Sequence, residues 1–426
     1  MELFLDPTFR LVLLGCVLLS ASSALVGVFA FLRKRALVGD AVAHSVLPGI
    51  CGGFILSGTK NPLALVLGAF ITGWLSVLAL DFISKRTKLK EDTATGVVLS
   101  VFFGLGILLL TYIQNSGNAA QAGLNNFMFG KAASLLPQDV ITFGIIALIL
   151  IFSVIVFYKE FLMISFDAAF ASTTRIPVKW VELWLTTLTV LAVVVGIQAV
   201  GVVLMAAMLI TPAAAARFWT NQLKHMLWLS AVFGITSGFF GALISLFAPA
   251  MPTGPWMVIV LSTIALFSFL FAPEKGIVIR QIKHRRFSSK LQEENLLKKM
   301  YQQLEQSGDT SSSLSKQEVI AAGEQVDGST EKIIYRLKKQ GYLKVGTDNI
   351  QLSAAGYRKA QRVVRLHRLW EVYLTKYLQA APDHVHEDAD SIEHLLTPEL
   401  EQRIIEKLGS PETDPHQSNI PYDTTL

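Results

Sequence analysis

Carboxylates and imidazoles recur at helical spacing in two very different parts of this chain. In Gly39-Asp40-Ala41-Val42-Ala43-His44, an acid and a histidine stand four apart within an apolar stretch. A helix puts both on one face. One carboxylate oxygen and one imidazole nitrogen together suit a divalent transition metal such as manganese, iron or zinc. Ionisable groups are costly inside a bilayer and are usually functional there. The plainer alternative is an acid at a helix start and a histidine bonded to nearby backbone. Far downstream, His367 and Glu371 repeat the four-residue spacing, and His386, Asp390, Glu393 and His394 follow. Six nitrogen and oxygen donors on two helices can hold one or two divalent ions. The alternative is a solvated acidic helix face.

The elements that must carry these groups differ sharply. Overall, 52% of the 426 residues are hydrophobic and 16% are charged, but long apolar runs stop near Pro273. A crossing helix needs about 20 mostly apolar residues. Runs at 11–32, 41–56, 62–83, 95–113, 140–158, 226–247 and 256–271 qualify. The stretch 180–216 is long for one crossing, and Gly196 and Gly201 interrupt it, so it reads as two short helices. The run from residue 11 to 19 loosely resembles a signal peptide, but Glu2 and Asp6 precede it and the apolar run continues to Leu32. It reads as a retained first helix. Cys16 and Cys51 lie inside apolar runs and offer no disulfide framework.

Net charge is +5, and its placement sets the expected topology. Arg33-Lys34-Arg35, Lys85-Arg86 with Lys88 and Lys90, Arg175 and Lys179, Arg217 and Lys224, and the basic segment 275–286 all fall between runs. Basic loops face the cytoplasm. Of the about eight to nine crossings these runs allow, nine, with the N-terminus outside and the C-terminal domain in the cytoplasm, satisfy every cluster. Gln114 to Asp139, polar and rich in Asn and Gly, is then external.

The stretch Arg33-Lys34-Arg35-Ala-Leu-Val-Gly-Asp40-Ala-Val-Ala-His44-Ser-Val-Leu-Pro48-Gly49 resembles the hallmark of metal-chelate type ABC permeases, the manganese, zinc and iron import family. Glu91-Asp92-Thr-Ala-Thr95-Gly96 and Gly201 to Ala216 are similar to further segments of that family. The resemblance covers about residues 5–275. It implies that Asp40 and His44 line the ion path in a bacterial cytoplasmic membrane. It also implies a homodimer or a heterodimer with a second permease subunit, and a metal-binding substrate-binding protein. Ser165-Phe166-Asp167-Ala-Ala-Phe170-Ala171 is similar to the segment that docks on the ATPase, so Asp167 and Ala171 are the coupling candidates. An ordinary connecting loop is the alternative. No Gly-x-x-x-x-Gly-Lys-Ser/Thr occurs in the sequence, so the phosphate cradle would come from a separate ABC ATPase subunit.

The remaining third splits further. Residues 275–290 read as a basic linker. Residues 291–306 carry Leu296, Leu297, Met300 and Leu304 at helical spacing. Ser315-Lys-Gln-Glu318 has the pattern of a capping box, and residues 328–339 give another short helix that ends near Gly341. Alternation at 342–345 and 350–352 around Gly346-Thr-Asp-Asn349 reads as a two-stranded wing. Helices plus a hairpin make a winged helix over 291–357. Ser329, Thr330, Lys332 and Arg336 are its candidate DNA contacts, with Lys338 and Lys339 adding basic charge for phosphates. A winged helix used only for protein contacts is the alternative.

Residues 358–426 are expected to form a helical domain whose motifs, through the resemblance they carry, imply metal binding and dimerisation. Arg365-Leu-His367-Arg-Leu-Trp-Glu371, Val385-His386-Glu-Asp-Ala-Asp390-Ser-Ile-Glu393-His394, Asp414-Pro415-His416 and Ile420-Pro421 resemble the diphtheria toxin repressor family over about residues 292–422. The resemblance implies one site from His367, Glu371 and His386, with Asp390, Glu393 and His394 contributing to another. Asp390 replaces a cysteine of iron-type members, and a hard carboxylate leans toward manganese. Asn295 and Lys298 fall where the family's first helix donates ligands, with Glu293 and Glu294 nearby. No SH3-like third domain follows.

The expected fold is therefore mainly α: a polytopic membrane domain over 1–274, then a winged helix and a helical sensor domain. The expected function is a permease for manganese, iron or zinc with a fused metal-responsive regulator. The same divalent ion would be both substrate and regulatory ligand. One alternative is a membrane-tethered DNA-binding regulator, although a single helix would suffice as an anchor. Another is a tail that feeds back on transport without DNA. No nucleophile–base set supports an enzyme.

Overall fold

A computed structural model describes residues 7–59, 61–115, 130, 135–247, 251–308, 313–323, 330–378 and 397–422. The chain divides into two compact units, Met1–Arg280 and Gln281–Leu426. The division falls inside the expected linker.

The first unit is all helix: α1 (Pro7–Leu32), α2 (Ala36–Ser57), α3 (Pro62–Arg86), α4 (Glu91–Asn115), α5 (Pro137–Val156), α6 (Tyr158–Phe166), α7 (Ala168–Thr173), α8 (Val178–Val200), α9 (Val202–Trp219), α10 (Leu223–Phe247) and α11 (Thr253–Phe271). Among the described residues, nine of these are long and apolar enough to cross a membrane; α6 and α7 are not. The 180–216 stretch is two helices, as the glycines suggested. They break at Gly201, where φ is 94° and ψ 163°, a backbone shape that only glycine adopts without strain.

Burial ranks the helices. In α2, 78% of the apolar window is enclosed, against 22% in α4 and α11, which leave their outer faces to lipid. α2 packs on α3 and α4, and α1 packs on α9, α10 and α5. Glycines allow the closest approach: a methyl on Gly49 of α2 would lie 2.1 Å from the carbonyl oxygen of Gly68 on α3. α2 is thus held at van der Waals limits, with the Asp40–His44 turn at its basic end.

The second unit contains α12 (Ile277–Ser307, from Gln281 onward), β1 (Leu314–Ser315), α13 (Lys316–Gly323), α14 (Thr330–Lys339), β2 (Leu343–Val345), β3 (Asn349–Leu352), α15 (Ala354–Leu378) and α16 (Pro398–Leu408). The expected basic linker is not a loop: from Ile277 it is the first half of α12. Arg and Lys are good helix formers, and no proline interrupts the run. The wing carries a third strand, since Leu314 pairs with Ile350 and the sheet order is β1-β3-β2. The capping box forms, with Ser315 Oγ accepting from the Glu318 amide at 3.1 Å and Glu318 accepting from the Ser315 amide at 2.9 Å. Leu297, Met300, Ile333, Leu337, Leu343, Ile350 and Val364 close one core. Leu369, Ile404, Leu408 and Ile420 close a second, smaller one.

Candidate metal path and tail site

Asp40 lies in the second turn of α2, just past a ring of ion pairs. Arg33 Nη2 meets Glu182 of α8 at 2.5 Å, Arg35 Nη2 meets Asp81 of α3 at 3.3 Å, and Arg35 Nε meets Glu91 of α4 at 3.0 Å. These pairs bring the end of α1 and the near ends of α2, α3, α4 and α8 to one face of the unit. A cavity of about 20 Å³ sits between Arg33, Arg35, Val38, Val77 and Thr189, room for about one water.

One turn further in, His44 Nε2 stands 3.6 Å from Asp40 Oδ1. The Phe103 ring of α4 meets the imidazole edge-on, with centroids 5.1 Å apart at 90°. Nδ1 of His44 is buried and has no hydrogen-bond partner among the described residues. Four residues on, Pro48 lies inside the helix. It has no N–H to give the His44 carbonyl, so that oxygen loses its usual helical donor. Two ligands at about 2.1 Å from an ion, in tetrahedral arrangement, stand about 3.4 Å apart. The observed 3.6 Å therefore suits an ion held between the two side chains.

The coupling candidates part company. Asp167 caps α7, its Oδ1 accepting from the Phe170 amide at 2.8 Å, and it is exposed. Ala171 is completely buried against the α5–α6–α8 core. It sets how closely α7 lies on the bundle and does not face outward. The outward groups beside Asp167 are Phe166 and Phe170, 64% and 57% exposed.

In the second unit, His367 and Glu371 of α15 are both buried, with Nε2 and Oε1 3.0 Å apart. On the other edge of the ring, Lys298 Nζ of α12 lies 2.9 Å from His367 Nδ1. His386, Asp390, Glu393 and His394 fall outside the described residues, as does Ser329. A divalent ion does not fit the described pair as it stands. A ligating imidazole needs a free ring lone pair; with an ammonium donating at Nδ1, the nitrogen that faces Glu371 carries the ring proton instead. The flanking arginines hold the fold. Arg365 pairs with Glu401 of α16 at 2.8 Å, and Arg368 grips both Glu305 oxygens at 3.0 and 2.6 Å. Burial works against the Arg368 charge, but Glu305 and Asp414 more than offset it, so its pKa lies above the ordinary arginine value. Asp414 in turn accepts from the His416 and Ser418 amides. The 414–421 motif thus wraps onto α15.

Of the candidate DNA contacts, Thr330 is buried and Lys332 is exposed. Arg336 reaches back to α12, donating to Ser289 Oγ at 2.7 Å and lying 3.4 Å from Glu293. Tyr335, 68% exposed, shares the outer surface of α14 with Lys332 and Lys339.

Residues 6–272 match the ABC 3 transport family. The chain belongs to that family. This ABC 3 permease part is a multi-pass membrane protein. Its fused tail matches the iron dependent repressor, metal binding and dimerisation domain over residues 353–422. The chain is 40% identical over 381 residues, 88% of its length, to the manganese transport system membrane protein MntC of Bacillus subtilis, covering 86% of that protein. It is 45% identical to the zinc transport system membrane protein TroC of Treponema pallidum, over 69% of this chain and 98% of the relative. The solved structure of PsaBC from Streptococcus pneumoniae in complex with Fab superposes with a TM-score of 0.58 at 31% identity, over 66% of this chain and 96% of that chain.

The structure also shows what residue spacing missed in the permease. Phe103, on α4, has no sequence pattern linking it to His44. Phe166 and Phe170 were visible only as part of a motif, because exposure cannot be read from an aromatic in a short apolar segment.

Proposed function

We propose that this chain is the permease subunit of an ATP-driven importer of a divalent transition metal, with manganese the first candidate. Its basic face is cytoplasmic and its N-terminus is outside. The observation that carries this is the Asp40–His44 pair: Oδ1 and Nε2 donors 3.6 Å apart on the most enclosed of the candidate spans, with the ring's other nitrogen, Nδ1, buried and without a hydrogen-bond partner among the described residues. The relatives named for manganese and zinc transport support the ion class. Manganese is preferred because a carboxylate and an imidazole form a harder donor set than thiolates. Asp40 supplies charge for the cation, His44 a neutral nitrogen. The partners are a separate ABC ATPase, docking at the α7 segment around Asp167, a metal-binding substrate-binding protein, and a second permease subunit. The test is uptake of radioactive manganese by proteoliposomes holding the whole importer. Asp40→Ala and His44→Ala should each abolish uptake while the ATPase still co-purifies; normal uptake by both variants refutes the path.

The tail is read as a regulator that binds DNA as a dimer through α14, with Lys332 and Lys339 on phosphates. A second reading, feedback on the attached permease without DNA, gains from one observation: Arg336, the most central base of α14, is engaged by Ser289 and Glu293. Gel shifts on the chain's own promoter, with and without manganese, separate the two.

A further inference from the structure

We propose that Lys298 is the resident cation at the Nδ1 edge of His367, its ammonium fixing the ring tautomer that turns an N–H, not a lone pair, toward Glu371, and joining α12 to α15 without metal. This goes beyond the transport reading and does not rest on it.

Lys298, His367 and Glu371 are 7%, 5% and 1% exposed. Lysine is almost never buried this deeply unless it is paired. Its neighbours on α12, Leu297 and Tyr301, are locked in the core, and the Tyr301 ring lies 5.2 Å from that of Tyr357 on α15. That packing holds the α12 backbone at Lys298 against α15. The Lys298 ammonium has only protons to give, so at 2.9 Å the His367 Nδ1 must accept. Accepting there puts the ring proton on Nε2, the edge that faces Glu371 at 3.0 Å. Nδ1 then gives its lone pair to the ammonium, and Nε2 carries the proton. A divalent ion taken up between Nε2 and Glu371 would have to reverse that tautomer, which the ammonium at Nδ1 opposes.

The same helix carries the consequence toward α14. Glu293, five residues before Lys298, faces Arg336 and accepts from Gln340 at 3.1 Å. Fixing α12 on α15 through Lys298 therefore fixes the surface against which α14 rests. In this chain that arrangement is a permanent feature of the fold. Any metal response of the tail is left to donors other than His367.

The experiment is equilibrium binding of manganous ion to the full-length chain in lipid nanodiscs. Free aquo-manganese is followed by electron paramagnetic resonance, in an Asp40→Ala background that removes the candidate path donor. Four forms are compared: Lys298 and His367 intact, His367→Gln, Lys298→Gln, and both changes. The proposal expects His367→Gln to leave ion number and affinity unchanged within twofold. It expects Lys298→Gln to gain one ion per chain, and the double variant to lose that gain. Loss of an ion in His367→Gln alone overturns it, since His367 would then be a ligand beside the lysine. No gain in a folded Lys298→Gln chain also overturns it. If Lys298→Gln fails to fold, Lys298→Arg and the His367→Gln comparison still decide: an unchanged count with His367→Gln supports the lysine, a lost ion refutes it.

Discussion

Gly49→Ala on α2 should cripple transport, while Gly52→Ala on the same helix should not. A methyl on Gly49 would lie 2.1 Å from the Gly68 carbonyl oxygen and 2.3 Å from Thr72 Oγ1, whereas one on Gly52 meets nothing within 4 Å. Ordinary contact begins at 3.4 Å, so α2 must move about 1.3 Å off α3 or bend. The obstacle is backbone and cannot rotate away. Overpacking of this kind costs about 1–3 kcal/mol. The displaced segment begins five residues from His44, and α2 carries both path donors. Misplacing a reacting group by 1 Å can cost on the order of 100-fold, and uptake should fall at least tenfold. Gly52→Ala instead removes a helix-interior glycine and should be neutral or stabilise by up to about 1 kcal/mol. Thermal inactivation in detergent and initial manganese uptake in proteoliposomes measure the two effects. Equal behaviour of the two variants, in either assay, would refute the claim that the α2–α3 glycine contact positions the pair.

The other expectations concern the coupling segment and the tail. Asp167→Ala removes the α7 cap at 2.8 Å, costing about 1 kcal/mol locally, and should reduce co-purification of the ATPase; Phe170→Ala should do the same by removing exposed apolar area, and unchanged pull-down for both rules out this docking surface. Arg368→Ala strips Glu305 and the buried Asp414 of their shared partner. Because Glu305 is partly exposed, the loss should be about 2–3 kcal/mol, seen as a lower melting transition of the second unit by circular dichroism. On DNA, Lys332→Ala should weaken binding at all sequences and reduce the salt slope by about one. Arg336→Ala should lower stability more than it lowers that slope, and the reverse order would show that Arg336 leaves α12 to reach phosphate.

The membrane helices were legible because bilayer physics writes them in composition: apolar length, basic punctuation and a glycine break. The linker was not. Residues 278–290 form a helix that leaves most of its surface in solvent, so no apolar face recurs for a periodicity argument to find. The strand β1 was lost for a related reason. It is two residues long, and its partner Ile350 lies across the α13–α14 segment. Two residues cannot show alternation, and strand pairing is set by register, not by local pattern.

Site residues divide by the same logic. Asp40 and His44 lie on one helix, so their spacing in sequence is their spacing in space, and the pair could be read directly. Lys298 and His367 are 69 residues apart, and spacing does not link them; only the resemblance to the repressor family placed Lys298 at a ligand position. A donor count over 358–426 sees ligands and no competing ammonium, because the lysine arrives from the preceding domain. The same blindness applied to Arg336, which scores as a phosphate contact by type and position until Ser289 and Glu293 are seen to hold it. In both cases a basic side chain of the expected kind was found where expected along the chain, and its role was decided by a partner on α12. The tail's chemistry therefore turns on that one helix, whose residues 281–307 carry Ser289, Glu293, Lys298 and Glu305 to α14 and α15 in turn.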